Sequence, residues 1–338
     1  MGSKTIPGIV LYVQTPNNYF LGSAGYANVD KLEPMPVTAR MPNGSAGKKF
    51  TALLALQLQQ EGLLDLDDLI STWLPTEITS RVSNSENMTL RQALNHTSGV
   101  YDYLDDATAD YFFEDLYENT LAPKTDSYAL GFAFDRPSYF EPGEGWQYSN
   151  TGYLLVGLVL DQVLGEHHSA EMRRRIFEPF QLHSTYFNAL ENELGDIVEG
   201  YYFGEDGIYE TKEAYDIIGV ADAPVVSTAE DMALFLKTII DGSNLVNQDM
   251  QHEMFGTDYL VNTGLELGLQ YGLGLFVETI NDKVVYHHGG LEIGYSTSNI
   301  YVPELDLSIT AFLNCGGSDH CETVQDMLID TVLLEELF

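Results

Sequence analysis

The chain has 338 residues, 44% of them apolar and 12% aromatic, enough hydrophobic surface for a sizeable core and too much for a disordered chain. Its 51 acidic residues against 15 basic ones leave a formal charge of −36, a field that repels phosphate backbones and anionic lipid surfaces. No apolar run approaches the ~18 residues of a spanning helix, so neither a nucleic-acid partner nor a membrane span is expected.

Met1-Gly2-Ser3-Lys4 carries no apolar signal-peptide core and reads as a short replacement for a removed leader, which points to a periplasmic or secreted location, with an ordinary cytoplasmic start as the alternative. Ile9-Val10-Leu11-Tyr12-Val13 is a β-rich run. Pro16-Asn17-Asn18 turns it and Tyr19-Phe20-Leu21 returns, so a hairpin is predicted. From Ser45 onward Phe50, Leu53, Leu54 and Leu58 recur at helical spacing, with Gly62 as the stop. A long middle section keeps helical periodicity between Pro-, Gly- and Asn-Ser-rich loops. Its clearest helix runs from Tyr153 to Leu164, between Ser149-Asn150 and Gly165. The period then returns to two, predicting antiparallel strands at Val284 to His287, Gly294 to Val302 and Leu307 to Leu313, the last two joined at Pro303-Glu304. A final helix over 322–337 closes the chain. Strands at both ends around helices predict an α+β architecture. Residues 1–44 and 215–338 would build one sheet domain, 45–214 an inserted, mainly helical one, with the active site in the cleft between.

Ser45-Ala46-Gly47-Lys48 opens the first amphipathic helix. Residues three apart share a helix face, so the Lys48 ammonium can reach the Ser45 hydroxyl. A serine hydroxyl needs a base to become a nucleophile, and a lysine serves once burial or a cation lowers its pKa. A capping serine beside a solvated lysine would give the same four residues. Tyr148-Ser149-Asn150 precedes the second clear helix. There Tyr148 can shuttle protons if an adjacent cation stabilises its phenolate, and Asn150 can grip a substrate amide. His288-Gly289-Gly290 lies on a predicted strand, where glycines mark close approach of a backbone or ligand. His288 would offer a hydrogen bond or a charge at the substrate's far end. Ser318-Asp319-His320 holds three triad residue types, but consecutive side chains cannot form a triad, so it reads as a polar loop. No metal site and no cofactor are expected. His167-His168 and His287-His288 lack Glu or Cys partners at ligand spacing, and Cys315 and Cys321 are either two free thiols or a small disulfide.

In this order and spacing, the chain resembles the penicillin-recognising serine hydrolases, specifically the class C β-lactamase and D-Ala-D-Ala carboxypeptidase branch, which also contains esterases and D-amino-acid peptidases and amidases. Ser45 to Lys48 matches S-x-x-K, Tyr148 to Asn150 matches Y-x-N, and His288 to Gly290 matches the K-T-G or H-x-G element. Glu61 to Asp68, His96-Thr97-Ser98-Gly99, Ser227 to Asp231 and Tyr271 to Gly274 extend the likeness over most of the chain. The resemblance implies a β-lactamase/transpeptidase-like fold and an acyl-enzyme. Ser45 would be acylated, Lys48 would accept its proton, and Tyr148 would serve the leaving group and then water. Asn150 would hold the acyl-side amide, and His288, Gly290 and Leu291 would line the substrate. The backbone N–H groups of Ser45 and Leu291 would form the oxyanion hole, and His96 would be structural.

Met41-Pro42-Asn43-Gly44 departs from the family's usual lead into the serine. His288 in place of Lys, and Leu291 in place of a hydroxyl residue, argue against an efficient β-lactamase. The expected enzyme hydrolyses D-amino-acid peptides or amides, or carboxylic esters. A β-lactamase, a penicillin-binding sensor that acylates without turnover, and a scaffold that inherited the fold are the alternatives. The oligomeric state is not legible.

Charge adds an expectation of its own. So many carboxylates repel one another, which destabilises the compact state and suggests a halophilic or marine source. At about 1 M salt the Debye length falls to roughly 3 Å. The melting temperature should therefore rise between about 0.05 M and about 2 M NaCl; a flat or falling value would remove the halophile reading.

Overall fold

The computed structural model describes residues 6–119, 123–204, 207–317 and 321. Gly8–Gln14 and Tyr19–Asn28 pair as the predicted hairpin, its turn closed by Thr15 N donating to Asn18 O at 2.9 Å. The first strand also pairs, on its other side, with Leu307–Leu313, Ile9 facing Leu313. That pairing joins the two ends of the chain in one sheet, as the sequence led one to expect. The described sheet has nine strands, in the order Val261–Asn262, Gln270–Tyr271, Phe276–Ile280, Lys283–Glu292, Tyr295–Val302, Leu307–Leu313, Gly8–Gln14, Tyr19–Asn28, Glu33–Pro34.

The strand carrying the third motif is longer than periodicity alone suggests, running from Lys283 to Glu292. Gly289 and Gly290 are poor strand formers, yet they are held by the ladder to Ser298 and Thr297. Pro303 to Leu305 forms a single helical turn between the last two strands, and Asp306 takes the left-handed conformation that closes it.

The serine segment is not helical from its first residue in the α sense. Gly44–Gly47 is a 3₁₀ turn that passes directly into the α-helix Lys48–Gln60. This helix is buried on nearly every side. Phe50 stacks on Phe235 with ring centroids 3.7 Å apart and meets Phe177 edge-on at 5.7 Å. Phe235 belongs to the helix Ala229–Asp241, which lies on the sheet, so one aromatic stack ties the serine helix to the sheet layer. The helix Asn150–Leu164 begins three residues earlier than its apolar period, at the motif's own asparagine, and Gly165 ends it in the left-handed conformation.

The middle of the chain contains strands as well as helices. Tyr201–Gly204 pairs with Gly207–Glu210, and Val225–Ser227 lies between Met41–Pro42 and Tyr186–Phe187. The latter ribbon anchors the approach to the serine, with Asn43 N donating to Val225 O at 3.1 Å. Cys315 and Cys321 form a disulfide. The terminal helix expected over 322–337 and the Ser318-Asp319-His320 loop lie outside the described residues. Among those residues, no helix is long and apolar enough to cross a membrane.

Phe50→Ala removes the ring that joins helix to sheet layer and should destabilise the protein by about 3–5 kcal/mol. Urea unfolding would measure it, and a loss below ~1 kcal/mol would show that the stack is not a structural tie.

Candidate active site

Two glycines dock the serine turn onto the sheet. Gly44 has φ +51°, and a Cβ there would press on Glu292 Cγ and Gly290 Cα, at 3.1 and 3.3 Å. A Cβ on Gly290 would overlap the carbonyl oxygen of Asn43. Only bare backbone lets strand and turn approach this closely. Gly290, expected to line the substrate, therefore acts on Ser45 through packing.

Lys48 is the first residue of the α-helix and is wholly buried. Its Nζ donates to Ser45 Oγ at 3.1 Å, Asn150 Oδ1 at 2.6 Å and the Asp222 carbonyl at 2.9 Å. The Asp222 carboxylate stands 4.0 Å away. Burial pushes the ammonium's pKa down, while the carboxylates of Asp222, Asp102 and Glu292 oppose that shift. A lysine so placed lies within hydrogen-bond reach of the Ser45 hydroxyl, the geometry that a lysine base requires.

Asn150 is fixed from both ends. Its Oδ1 faces Lys48, and its Nδ2 donates to Asp102 Oδ2 at 3.1 Å. Asp102 Oδ1 also accepts from the backbone N–H groups of Asn150 and Leu104, at 3.1 and 3.2 Å. Burial raises the Asp102 carboxyl to about 6. The amide read as a grip for substrate thus already bridges Lys48 and Asp102, although Asn150 still lines the cavity beside Ser45.

Tyr148 sits against Lys48, whose Nζ lies 5.1 Å from the ring centroid. Its Oη has no hydrogen-bond partner among the described residues, although it lies close enough to the Ser45 hydroxyl to feel it. Burial drives the phenol's pKa well above its ordinary value; the Ser45 hydroxyl opposes the rise and the carboxylates of Asp102, Asp222 and Glu292 add to it. The adjacent cation expected for Tyr148 is present in Lys48, while burial favours the protonated phenol in the resting site. His96 backs it, with rings 4.1 Å apart and Nδ1 accepting from Ser149 N at 3.2 Å, a structural part as expected.

His288 is likewise placed differently from the sequence expectation. It is 3% exposed, with Nδ1 bonded to the Gly289 carbonyl at 2.6 Å and Nε2 to Tyr271 Oη at 3.1 Å. Burial and the nearby Lys49 and Lys48 push its pKa well below the usual range, so it brings no charge to a substrate. Its two ring nitrogens tie the strand to Tyr271 and to the Gly289 carbonyl. Leu291 is 51% exposed and lines the cavity.

Several residues of the site carry no motif. Asp222 and Asp102 surround Lys48, and Tyr103 donates to Asp222 Oδ2 at 3.2 Å. Asp102 follows His96-Thr97-Ser98-Gly99 by three residues, the one signal that would have found it. Glu292 accepts from Tyr215 Oη at 2.8 Å, and burial raises it to about 7. Lys49, also buried, donates to the Ala46 carbonyl, and desolvation lowers it to about 7.

Ser45, Asn150 and Leu291 open on a cavity of about 330 Å³. Phe112, Phe113 and Leu104 form an apolar wall; Asp110, Asp222 and Glu292 bring carboxylates; none of its described lining residues is Lys or Arg.

Fold and site together define a β-lactamase-fold chain with a serine–lysine–tyrosine cluster of the kind serine hydrolases use. The chain belongs to the Beta-lactamase family, whose signature matches residues 1–334. Penicillin-binding protein 4* of Bacillus subtilis is 27% identical over 307 residues, covering 87% of this chain and 64% of that protein. The chain thus spans less than two thirds of that relative's length. A D-stereospecific amidohydrolase from Streptomyces sp. superposes with a TM-score of 0.81 at 26% identity, covering 98% of this chain and 94% of that one. The octameric penicillin-binding protein homologue from Pyrococcus abyssi also gives 0.81 at 26% identity, over 96% and 73%.

Asp222→Asn removes a carboxylate that holds the Lys48 pKa up. Neutral Lys48 should then persist to lower pH, and the acidic limb of the kcat/KM profile should move down. A limb that stays put or moves up would separate Asp222 from the titration of Lys48.

Proposed function

We propose that the protein is a serine hydrolase that works through an acyl-enzyme on small substrates bearing a free ammonium beside an apolar side chain. D-amino-acid amides and short D-peptides are the leading class. The observation that carries this reading is the cavity beside Ser45, with its aromatic wall, three carboxylates and no Lys or Arg among its described lining residues. An ammonium would meet Glu292, Asp222 or Asp110, and the side chain would pack on Phe112 and Phe113. The D-stereospecific amidohydrolase among the similar structures supports the same class.

Neutral Lys48 takes the proton of Ser45 Oγ as that oxygen attacks the substrate carbonyl. The oxyanion is received by the backbone N–H groups of Ser45 and Leu291, donors oriented before charge develops, each worth about 3 kcal/mol by mutational precedent. Tyr148, protonated in the resting site, gives its proton to the leaving amine, and the resulting phenolate then deprotonates water to release the acyl group. A β-lactam fits poorly, because its carboxylate would face the site's own carboxylates with no Lys or Arg among the described lining residues to receive it. Export to an oxidising compartment, periplasmic or extracellular, is part of the proposal and is supported by the Cys315–Cys321 disulfide.

The test is a panel of D-phenylalanine amide, its N-acetyl derivative, a p-nitrophenyl ester and a chromogenic cephalosporin. The free amide should be turned over with the highest kcat/KM, N-acetylation should lower it at least ~10-fold, equivalent to about 1.4 kcal/mol, and Ser45→Ala should abolish turnover and labelling by a fluorophosphonate. Equal rates for the free and acetylated amides would remove the ammonium from the reading, and labelling elsewhere than Ser45 would remove the nucleophile.

A further inference from the structure

Away from Ser45, three side chains from two parts of the helical region converge with unfilled coordination capacity. Asp126 opens the helix Asp126–Leu130 and is 2% exposed. Its Oδ1 accepts from Ala221 N at 2.7 Å, and its Oδ2 has no hydrogen-bond partner among the described residues. His168 is fully buried. Its Nδ1 and its backbone N–H both bond to Asp161 Oδ1, at 2.8 and 2.7 Å. That places the ring proton on Nδ1 and leaves the Nε2 lone pair bare, again without a partner. His167, partly exposed, stacks on His168 with centroids 4.4 Å apart.

One potential ligand atom from each of Asp126, His167 and His168 lies within 4.8 Å of the other two. We propose that these three residues form a divalent-cation site, with zinc the best-fitting ion. Two imidazoles and a carboxylate are the donor types zinc takes, and three protein ligands leave a fourth position for solvent. Asp161 is the outer-shell carboxylate that orients a ligating histidine. Bonds of about 2.1 Å in a tetrahedron need ligand atoms about 3.4 Å apart. Binding therefore requires the cluster to close by up to about 1.4 Å, through side-chain rotation of Asp126 and His167. His167 Nδ1 accepts from Ser169 N at 3.1 Å, and ligation through either ring nitrogen gives up that bond. A cation also compensates a buried carboxylate that has no positive partner among the described residues, the more so with the Asp161 carboxylate beside it.

The site is wired to the catalytic one by a short piece of chain. Ala221 N is held by Asp126, the Ala221 carbonyl accepts from Thr51 Oγ1 at 2.7 Å, and the next residue is Asp222, whose carbonyl holds Lys48. The ion would clamp the helix carrying Asp126 to the turn carrying the two histidines, behind the segment that seats the catalytic lysine.

The test uses the full chain without an affinity tag, stripped with a chelator and then titrated with zinc chloride. Calorimetry and elemental analysis after dialysis should give one zinc per chain, and the melting temperature should rise on loading. His167→Gln, at a partly exposed position that tolerates change, and His168→Gln should each abolish the stoichiometric ion. Asp161→Asn should weaken binding about 10–100-fold, and His252→Gln, at an exposed histidine beside Asp258, should leave it unchanged. Substoichiometric zinc on the wild type, or binding indifferent to both His167→Gln and His168→Gln, would overturn the proposal and leave a protonated Asp126 as the account of this cluster. Activity is not the readout, so the outcome is independent of the substrate assignment.

Discussion

The buried Lys48 ammonium is the constraint around which the site is built. A charge removed from water carries a large desolvation penalty unless donors and counter-charges replace the lost solvent. Here the replacement comes from three separate segments: the serine turn, the asparagine at the start of a long helix, and the Asp222 loop. Each of those groups is held in turn by something else. Asp102 fixes the Asn150 amide, Tyr103 reaches Asp222, and Thr51 pins the carbonyl just before Asp222. Solvating one cation thus sets the mutual positions of the serine turn and the helical region, and the catalytic geometry follows from it.

The same constraint explains why so many carboxylates gather there. Asp222, Asp102 and Glu292 keep Lys48 from losing its proton too readily, while burial pulls the other way. Those carboxylates in turn are raised by burial, Asp102 to about 6 and Glu292 to about 7, so the cluster shares protons close to neutrality. The carboxylates also add to the burial that raises the Tyr148 phenol, and within this one cluster burial pushes lysine and tyrosine in opposite directions. A surplus of negative charge that composition shows only as a global number is concentrated at this one cleft by Asp110, Asp222 and Glu292.

The sheet supplies the other half of the positioning through absence of side chains. Gly290 and Gly44 let the third-motif strand and the serine turn meet backbone to backbone, and the ladder to Tyr295–Val302 keeps that strand straight through two glycines. Lys49 and His288 lie under this junction, both buried and both shifted toward neutrality. The strand's histidine therefore braces the wall of the cleft against Tyr271 and does not reach into it.

Much of this was legible in the linear sequence. The hairpin at residues 8–28, the serine helix, the long helix ending at Gly165 and the paired terminal strands follow from periodicity and turn chemistry, which depend on neighbours a few residues away. The Ser45–Lys48 contact was legible for the same reason, since one helical turn fixes it. The strand's continuation through Gly289-Gly290 was not, because a partner strand supplies what local propensity lacks. Nor were Asp222, Asp102 and Glu292 as counter-charges, the inward turn of His288, the protonated state of Tyr148, or the meeting of Asp126 with His167 and His168. Those depend on desolvation and on charges brought together from distant parts of the chain, and both act through space. The sequence by itself determined which chemical groups are present and which face of each element they occupy. The tertiary structure alone decided which of those groups lose their water, and therefore which carry charge.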